Sequence, residues 1–379
     1  MNTSRCIYIF LHGRFPSEKA AALFAAEEAR AFLRHAAVTI VAPRRLGRIP
    51  RDAHEYYRLP QGVRIVYLPT IDLFRVPLLS FIAFRLSLFT FSISSLLYLL
   101  VKAKESDILY SNESLPLYFA SFFFPNTVYA VHDFPEKSLY FYHIFLKRMR
   151  HILATNRWKA QELVKRFHLA SQKVFVEQNA VALEEFSIET SKKEARATLG
   201  LPQNVPIAVY TGLLYEWKGV DTLAKAAALV PDALCVFVGG TKKDVAAFSA
   251  RYEHIPSVRL VGHVPYRQLP LWQRAADVLV LPNSGKEMIS SHYTSPMKLF
   301  GYMASGRPIV AARLPSIQEV LPEDAGFFFA PDDEQSLAEA LEKAFAAGAD
   351  RAAIKAREVV ATHSWEERAK RIFEVISTS

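Results

Sequence analysis

Two lysines and one histidine lie at points where a strand-like run empties into a loop. Their chemistry suits an anionic ligand and a hydroxylated one. The stretch Tyr210-Thr211-Gly212-Leu213-Leu214-Tyr215-Glu216-Trp217-Lys218-Gly219 reads as a strand, a loop and a helix start. Free backbone N–H groups at a helix N-terminus, with a lysine beside them, form an anion site suited to a diphosphate. The order is not that of a Walker A loop, because no hydroxyl residue follows the lysine. An ordinary surface lysine would satisfy the same pattern.

A second stretch runs from Tyr293 through Thr294, Ser295, Pro296, Met297 and Lys298 to Gly301 and Gly306. Ser295 suits an N-cap, Pro296 the first helical position and Gly306 the stop. Amides from Ser295 to Lys298, with the Lys298 ammonium, would make a second anion site. A plain capped helix is the alternative. Two such sites in one domain point to a nucleotide diphosphate. The third signal is His132-Asp133 at the end of the run Thr127–Val131. A histidine there can hydrogen-bond a sugar hydroxyl or exchange a proton near neutral pH, unless it is simply a satisfied turn residue. Gly13, in His12-Gly13-Arg14, would let backbone approach a ligand. No Ser/His/Asp or Cys/His nucleophile pattern and no H-E-x-x-H metal motif is present.

The elements that must position these residues alternate between β-type and helical runs. Strands are expected at Ile7–Leu11, Val38–Val41, Val63–Leu68, Ile108–Ser111, Thr127–Val131, His151–Ala154 and Val174–Glu177. A second series covers Ile207–Thr211, Cys235–Gly239, Val258–Val261, Val278–Leu281, Pro308–Ala311 and Gly326–Phe329, after a polar join at Glu184–Gln203. The class is α/β: two doubly wound, Rossmann-like domains facing a central cleft, where ligands belong. The boundaries fall at 1–185, 186–362 and a last helix, 363–379, that packs back on the first domain.

Composition agrees with two folded domains. The 379 residues are 51% hydrophobic and 22% charged, which excludes a disordered or low-complexity chain. Two cysteines, Cys6 and Cys235, sit far apart in apolar runs, so neither a disulfide framework nor a zinc site is expected. The net charge of +9 is uneven: residues 1–190 hold 24 Lys+Arg against 16 Asp+Glu, and the remainder hold 22 against 21. Nucleic-acid binding is not expected, since no heptad, zinc spacing, RNP-like stretch or basic helix accompanies the charge. The apolar segment from Val76 to Val101, interrupted by Arg85, reads as buried or interfacial helices. Basic charge beside it leaves peripheral contact with an anionic membrane open.

At this point the chain resembles retaining glycosyltransferases of family 4, which have the GT-B fold. The resemblance runs over nearly the full length: FPSEKAAALFAAEEARAFL, DILYSNESLPLYFA, AVHDFPEKSL, YTGLLYEWKGVDTL, FVGGT, VRLVGHVPYRQLP, ADVLVLPNS, YTSPMKLFGYMASGRPIVAARLPSIQEVL and HSWEERAKRIF. It implies transfer of a sugar from a nucleotide-sugar donor to a glycan or lipid-linked acceptor, with retention and without a metal or other cofactor. By that resemblance residues 200–360 bind donor and residues 1–185 acceptor. Lys218 would neutralise the diphosphate, amides at Thr294 to Met297 would hold sugar and phosphate, and Val264 would face the base. His132 would contact the transferred sugar.

Three positions depart from the family pattern. Leu213 stands where an arginine is usual, a loss that Lys298 would offset. The paired glutamates would fall at Tyr293 and Gly301, and the second of these normally accepts hydrogen bonds from the donor ribose. The resulting expectation is a cytoplasmic glycosyltransferase of cell-surface polysaccharide or lipopolysaccharide synthesis, peripheral on the inner membrane face. The alternative is a catalytically weakened GT-B protein that binds a nucleotide or glycan as an interaction partner.

Overall fold

The computed structural model describes residues 5–45, 49, 51–74, 80–346 and 349–378. The chain forms two units, Met1–Gln178 with Trp365–Ser379, and Asn179–Ser364. The sequence reading placed these changes at 185/186 and 362/363. The polar stretch taken as a join instead carries two helices of the second unit, Leu183–Phe186 and Lys192–Thr198. The reason is that a polar side chain there is a buried partner. Arg196 is 3% exposed, with Nη2 2.5 Å from Asp277 Oδ2 and Nε donating to the Ala275 carbonyl.

In the first unit the strands are β1 (Cys6–Phe10), β2 (Ala37–Pro43), β3 (Val63–Leu68), β4 (Ile108–Ser111), β5 (Thr127–Val131), β6 (His151–Ala154) and β7 (Val174–Val176). They form one parallel sheet in the order β3-β2-β1-β4-β5-β6-β7. The second unit has β8 (Ile207–Thr211), β9 (Leu234–Val238), β10 (Val258–Gly262), β11 (Val278–Leu281), β12 (Ile309–Ala312) and β13 (Phe327–Phe329). Its parallel order is β10-β9-β8-β11-β12-β13. Central strands covered by helices on both faces need continuous apolar runs, and CIYIF, TVYAV, IAVYT and VLVL supply them. Each sheet reverses direction once, at β1/β4 and at β8/β11. Loops leaving the carboxyl ends of strands at such a point splay apart and leave room for a ligand.

The connection from β3 to β4 is a single helix, Ser80–Lys102; Val76–Leu79, part of the same apolar reading, lie outside the described residues. Ala83, Ser87, Phe91, Ser95 and Leu99 recur every four residues and form its buried stripe.

The closing helix, Trp365–Ser377, belongs to the first unit through a buried ion pair. Arg368, 1% exposed, places Nη1 2.6 Å from Oε1 of Glu28, which is 4% exposed. Tyr110 donates to the same oxygen at 2.5 Å, and Arg368 Nε donates to the Gln178 carbonyl at 2.9 Å. Burial raises the Glu28 pKa while Arg368 and Tyr110 oppose the shift. Losing one member of such a pair strands the other charge in low dielectric. Arg368→Ala is expected to cost about 3–5 kcal/mol of stability, read as a fall in the melting temperature of the full chain. An unchanged melting temperature would show that the pair does not hold the helix.

Candidate functional site

In the second unit the site begins where β8 ends. At Gly212 the chain turns with φ 137°, and its N–H donates to the Val238 carbonyl at 2.8 Å. A Cβ there would lie 2.7 Å from Lys298 Nζ, so the ammonium sits directly on a bare glycine. It is also 4.0 Å from the ring centroid of Tyr210. Farther along the loop Gly219 has φ 69°, and a Cβ would come within 1.9 Å of the Pro282 carbonyl oxygen. Lys218, just before it, holds Nζ 3.5 Å from the Trp217 ring centroid.

Among the described residues neither ammonium has a carboxylate partner, and the Lys298 Nζ is enclosed with no hydrogen bond. Burial lowers the Lys218 pKa to about 7. Burial, reinforced by the Lys218 charge, holds Lys298 well below the ordinary lysine value. Two lysines whose positive charge burial disfavours, without a carboxylate partner among the described residues, are candidates for holding an external anion. Tyr302 supports the frame, its hydroxyl accepting from the Thr211 N–H at 2.8 Å.

The helix at the second anion site starts later than its sequence suggests. Pro296 is the N-cap, Met297 is the first helical residue and the helix runs Met297–Ser305. Ser295 is therefore not the cap. Its Oγ is buried without a partner, and its carbonyl accepts from Asn179 Nδ2 at 2.8 Å. The cause lies just upstream, where Ile289–Tyr293 forms a wide π turn. That turn takes up the Thr294 N–H, which donates to the Ile289 carbonyl at 2.9 Å, and leaves Tyr293 half-buried at its end. First-turn amides of Met297 and Lys298 remain without intrahelical acceptors. Val264 is half-buried in the loop after β10, two strands from β8.

Gly301 is buried in the middle of this helix, and the space beside it is filled. A Cβ there would meet Phe186 Cε1 at 3.0 Å and Cζ at 3.1 Å. The Phe186 ring also faces Tyr266 edge-on, with centroids 6.2 Å apart. Phe186 lay in the stretch read as a polar join, and the lone aromatic of the Leu183–Phe186 turn was the available signal for it.

In the first unit His132 follows β5. Its ring packs edge-on against Phe24 with centroids 4.6 Å apart, Nδ1 is 3.4 Å from Asn112 Nδ2, and Nε2 is enclosed without a partner. Burial, then the charges of Arg368 and Lys159, lower its pKa to about 3. It is neutral at physiological pH, so the proton exchange near neutrality expected from sequence gives way to hydrogen bonding alone. A cavity of about 10 Å³, near the size needed for one water, adjoins His132, Asn112 and Ser111.

Lys159, which the sequence reading missed, fixes the His132 backbone. Its Nζ donates to the carbonyls of Val131 at 3.0 Å and His132 at 2.7 Å, and to Thr155 Oγ1 at 2.8 Å. A lysine three residues into a helix capped by Asn156 was the sequence signal for it. Asn112, also missed, directly follows β4 as His132 follows β5. Gly13 has no positive φ, and a Cβ there would make an ordinary 3.6 Å contact with Leu11 Cδ1, so the fold does not itself require glycine.

Residues 205–347 match the family model described as glycosyl transferases group 1. The paired doubly wound sheets have the GT-B fold: sucrose-phosphate synthase from Thermosynechococcus elongatus aligns over 98% of each chain, with TM-score 0.80 and 18% identity. Anabaena Alr3699/HepE, solved in complex with UDP and glucose, aligns over 99% of this chain and 100% of its own, with TM-score 0.76 and 17% identity. The family-model match lies within the second unit and agrees there with the resemblance read from the sequence.

Among curated relatives, a D-inositol 3-phosphate glycosyltransferase of Xylanimonas cellulosilytica is 27% identical over 244 residues, 59% of this chain and 56% of that protein. The putative teichuronic acid biosynthesis glycosyltransferase TuaC of Bacillus subtilis is 30% identical over 155 residues, 40% of this chain and 36% of its own. The match thus spans about a third to a half of those relatives' length.

An unpaired, enclosed ammonium is costly to a protein that holds no ligand. Lys298→Met should raise the stability of the ligand-free chain by about 1–3 kcal/mol, seen as a higher melting temperature. A lower one would mean that the ammonium is already satisfied in the free protein.

Proposed function

We propose that the chain is a retaining glycosyltransferase that moves a sugar from a nucleotide-sugar donor to a glycan or lipid-linked acceptor in cell-surface polysaccharide synthesis. The observation that carries this reading is a pair of ammonium groups without a carboxylate partner among the described residues, Lys298 over the bare backbone of Gly212 and Lys218 over the Trp217 ring. Negative charge grows on the leaving diphosphate as the glycosidic bond breaks. Cations already desolvated and fixed in place stabilise that charge more than they stabilise the substrate. Lys298 takes over from the cation missing at Leu213, and the amides of Met297 and Lys298 add the positive end of a helix dipole.

His132, neutral and with Nε2 unengaged, serves as a hydrogen-bonding group for the transferred sugar and not as its acid or base. In this reading the departing phosphate oxygen takes the proton of the incoming hydroxyl as the new glycosidic bond forms on the same face. No side chain is required as nucleophile. Solved relatives of the same fold carry UDP or UDP-glucose, which makes uridine diphosphate sugars the first donors to test.

Because the free Lys218 has a pKa near 7, an anion that needs its ammonium must draw in a proton above that pH. UDP-glucose, whose diphosphate does not titrate in this range, should therefore bind more weakly as pH rises from 7 to 9. The loss approaches about tenfold per unit when one proton is taken up per ligand. Calorimetry in buffers of different ionisation enthalpy reads that uptake directly, and pH-independent binding would remove Lys218 from the site.

The Phe186 ring beside Gly301 favours a second reading, in which donor affinity has weakened and the chain works as a binding protein. Gly301→Glu alone should bring no gain, because the new side chain meets Phe186. Gly301→Glu with Phe186→Ala should tighten UDP-glucose binding by about tenfold, the effect of one charge-assisted hydrogen bond. Turnover that rises with affinity in the double variant supports the enzyme. Binding without turnover in any variant supports the second reading.

A further inference from the structure

The helix Ser80–Lys102 leaves a row of large apolar side chains in water. Its buried face mixes Ala83, Phe91 and Leu99 with three serines, Ser87, Ser92 and Ser95, and the Ser95 hydroxyl is buried without a partner. Its outward face carries Phe84, Phe89, Ile93, Leu97, Leu100 and Val101, which are 38% to 76% exposed. A helix adapted to water would carry polar residues on that outward face. The stretch Ile82–Lys102 is long and apolar enough to cross a membrane by length and composition, yet one stripe of it packs on the first unit. It therefore lies along the protein as a ridge.

The ridge continues into its neighbours. Phe89 meets Phe119 with centroids 6.1 Å apart, and Tyr118 meets Phe122 at 5.2 Å and Phe141 at 5.4 Å. These residues lie in or beside the helices Ser114–Ala120 and Leu139–Arg148. Phe122 and Phe123 are each 55% exposed, and the Arg148 guanidinium stands 3.8 Å from the Phe122 ring centroid. Across the three helices there are four cations, Arg85, Lys102, Lys147 and Arg148, and no carboxylate.

We propose that this face of the first unit is a monotopic docking surface for an anionic lipid bilayer, with the aromatic and aliphatic ridge entering the headgroup boundary and the cations meeting lipid phosphates. An apolar ridge of this length, with no covering element among the described residues, points to an apolar partner. The absence of any carboxylate among the cations selects a negatively charged one. The inference stands apart from the donor site and does not depend on the glycosyltransferase reading.

The full-length chain is tested by cosedimentation with vesicles of phosphatidylcholine alone and of phosphatidylcholine with roughly 30% phosphatidylglycerol, an anionic fraction sufficient to attract a basic segment. Binding should appear on the anionic vesicles, weaken with salt and be much lower on the neutral ones. Ile93→Gln, Leu97→Gln and Val101→Gln together should reduce partitioning by about tenfold or more, with circular dichroism and UDP-glucose binding unchanged. Lys102→Gln with Lys147→Gln should reduce it by about fivefold per lysine removed. Equal binding to both vesicles, no binding to either, or unaltered binding of both variants would overturn the proposal. So would a concentration-dependent dimer in sedimentation velocity that the triple substitution dissolves, since the face would then belong to a second copy.

Discussion

The geometry of the candidate site in the second unit turns on one backbone position. At Gly212 the chain leaves β8 with φ 137°, and the volume a side chain would occupy belongs to the Lys298 ammonium. That arrangement brings a cation from a distant helix onto the end of the central strand, next to the loop that carries Lys218. The same crowding recurs at Gly219, which closes on the Pro282 carbonyl. The Gly219 contact is with backbone and leaves that turn little freedom, whereas the atom over Gly212 is the tip of a lysine side chain. The Lys218 charge disfavours the Lys298 ammonium, and among the described residues no carboxylate neutralises either.

Such an arrangement trades stability for function. Protein interiors usually pair a buried charge, as Arg368 with Glu28 and Arg196 with Asp277 do in the two units. Lys159, also buried, is satisfied by two carbonyls and a hydroxyl and serves to hold the His132 backbone. Lys218 and Lys298 are treated differently, with depressed pKa values and aromatic rings as their nearest company. The contrast separates structural cations from those kept for a ligand.

Much of the architecture was legible in the residue pattern. β3, β4, β5, β6, β8 and β11 have the bounds expected from their apolar runs. Parallel strands buried on both faces announce themselves by continuous apolar runs, and amphipathic helices by their period. Glu184–Gln203 was misread because polar composition signals a loop only when the polar groups face water. Arg196 instead packs inward onto Asp277. The start of the Met297–Ser305 helix was misjudged by one residue because a π turn upstream consumes the Thr294 amide, and no local propensity announces such a turn.

By itself the sequence determined the class of fold, the two series of strands, and the identity of the lysine, histidine and glycine positions worth examining. Those properties follow from local periodicity and from residue chemistry that needs no partner. Tertiary structure alone decided which groups meet: that Lys298 lies on Gly212, that Phe186 fills the space beside Gly301, and that burial holds His132 neutral. It also decided that Ser87, Ser92 and Ser95 of the Ser80–Lys102 helix turn inward while Phe84, Phe89, Ile93 and Leu97 face out. Contact, desolvation and facing depend on segments far apart in the chain. Their energies are set only when those segments pack.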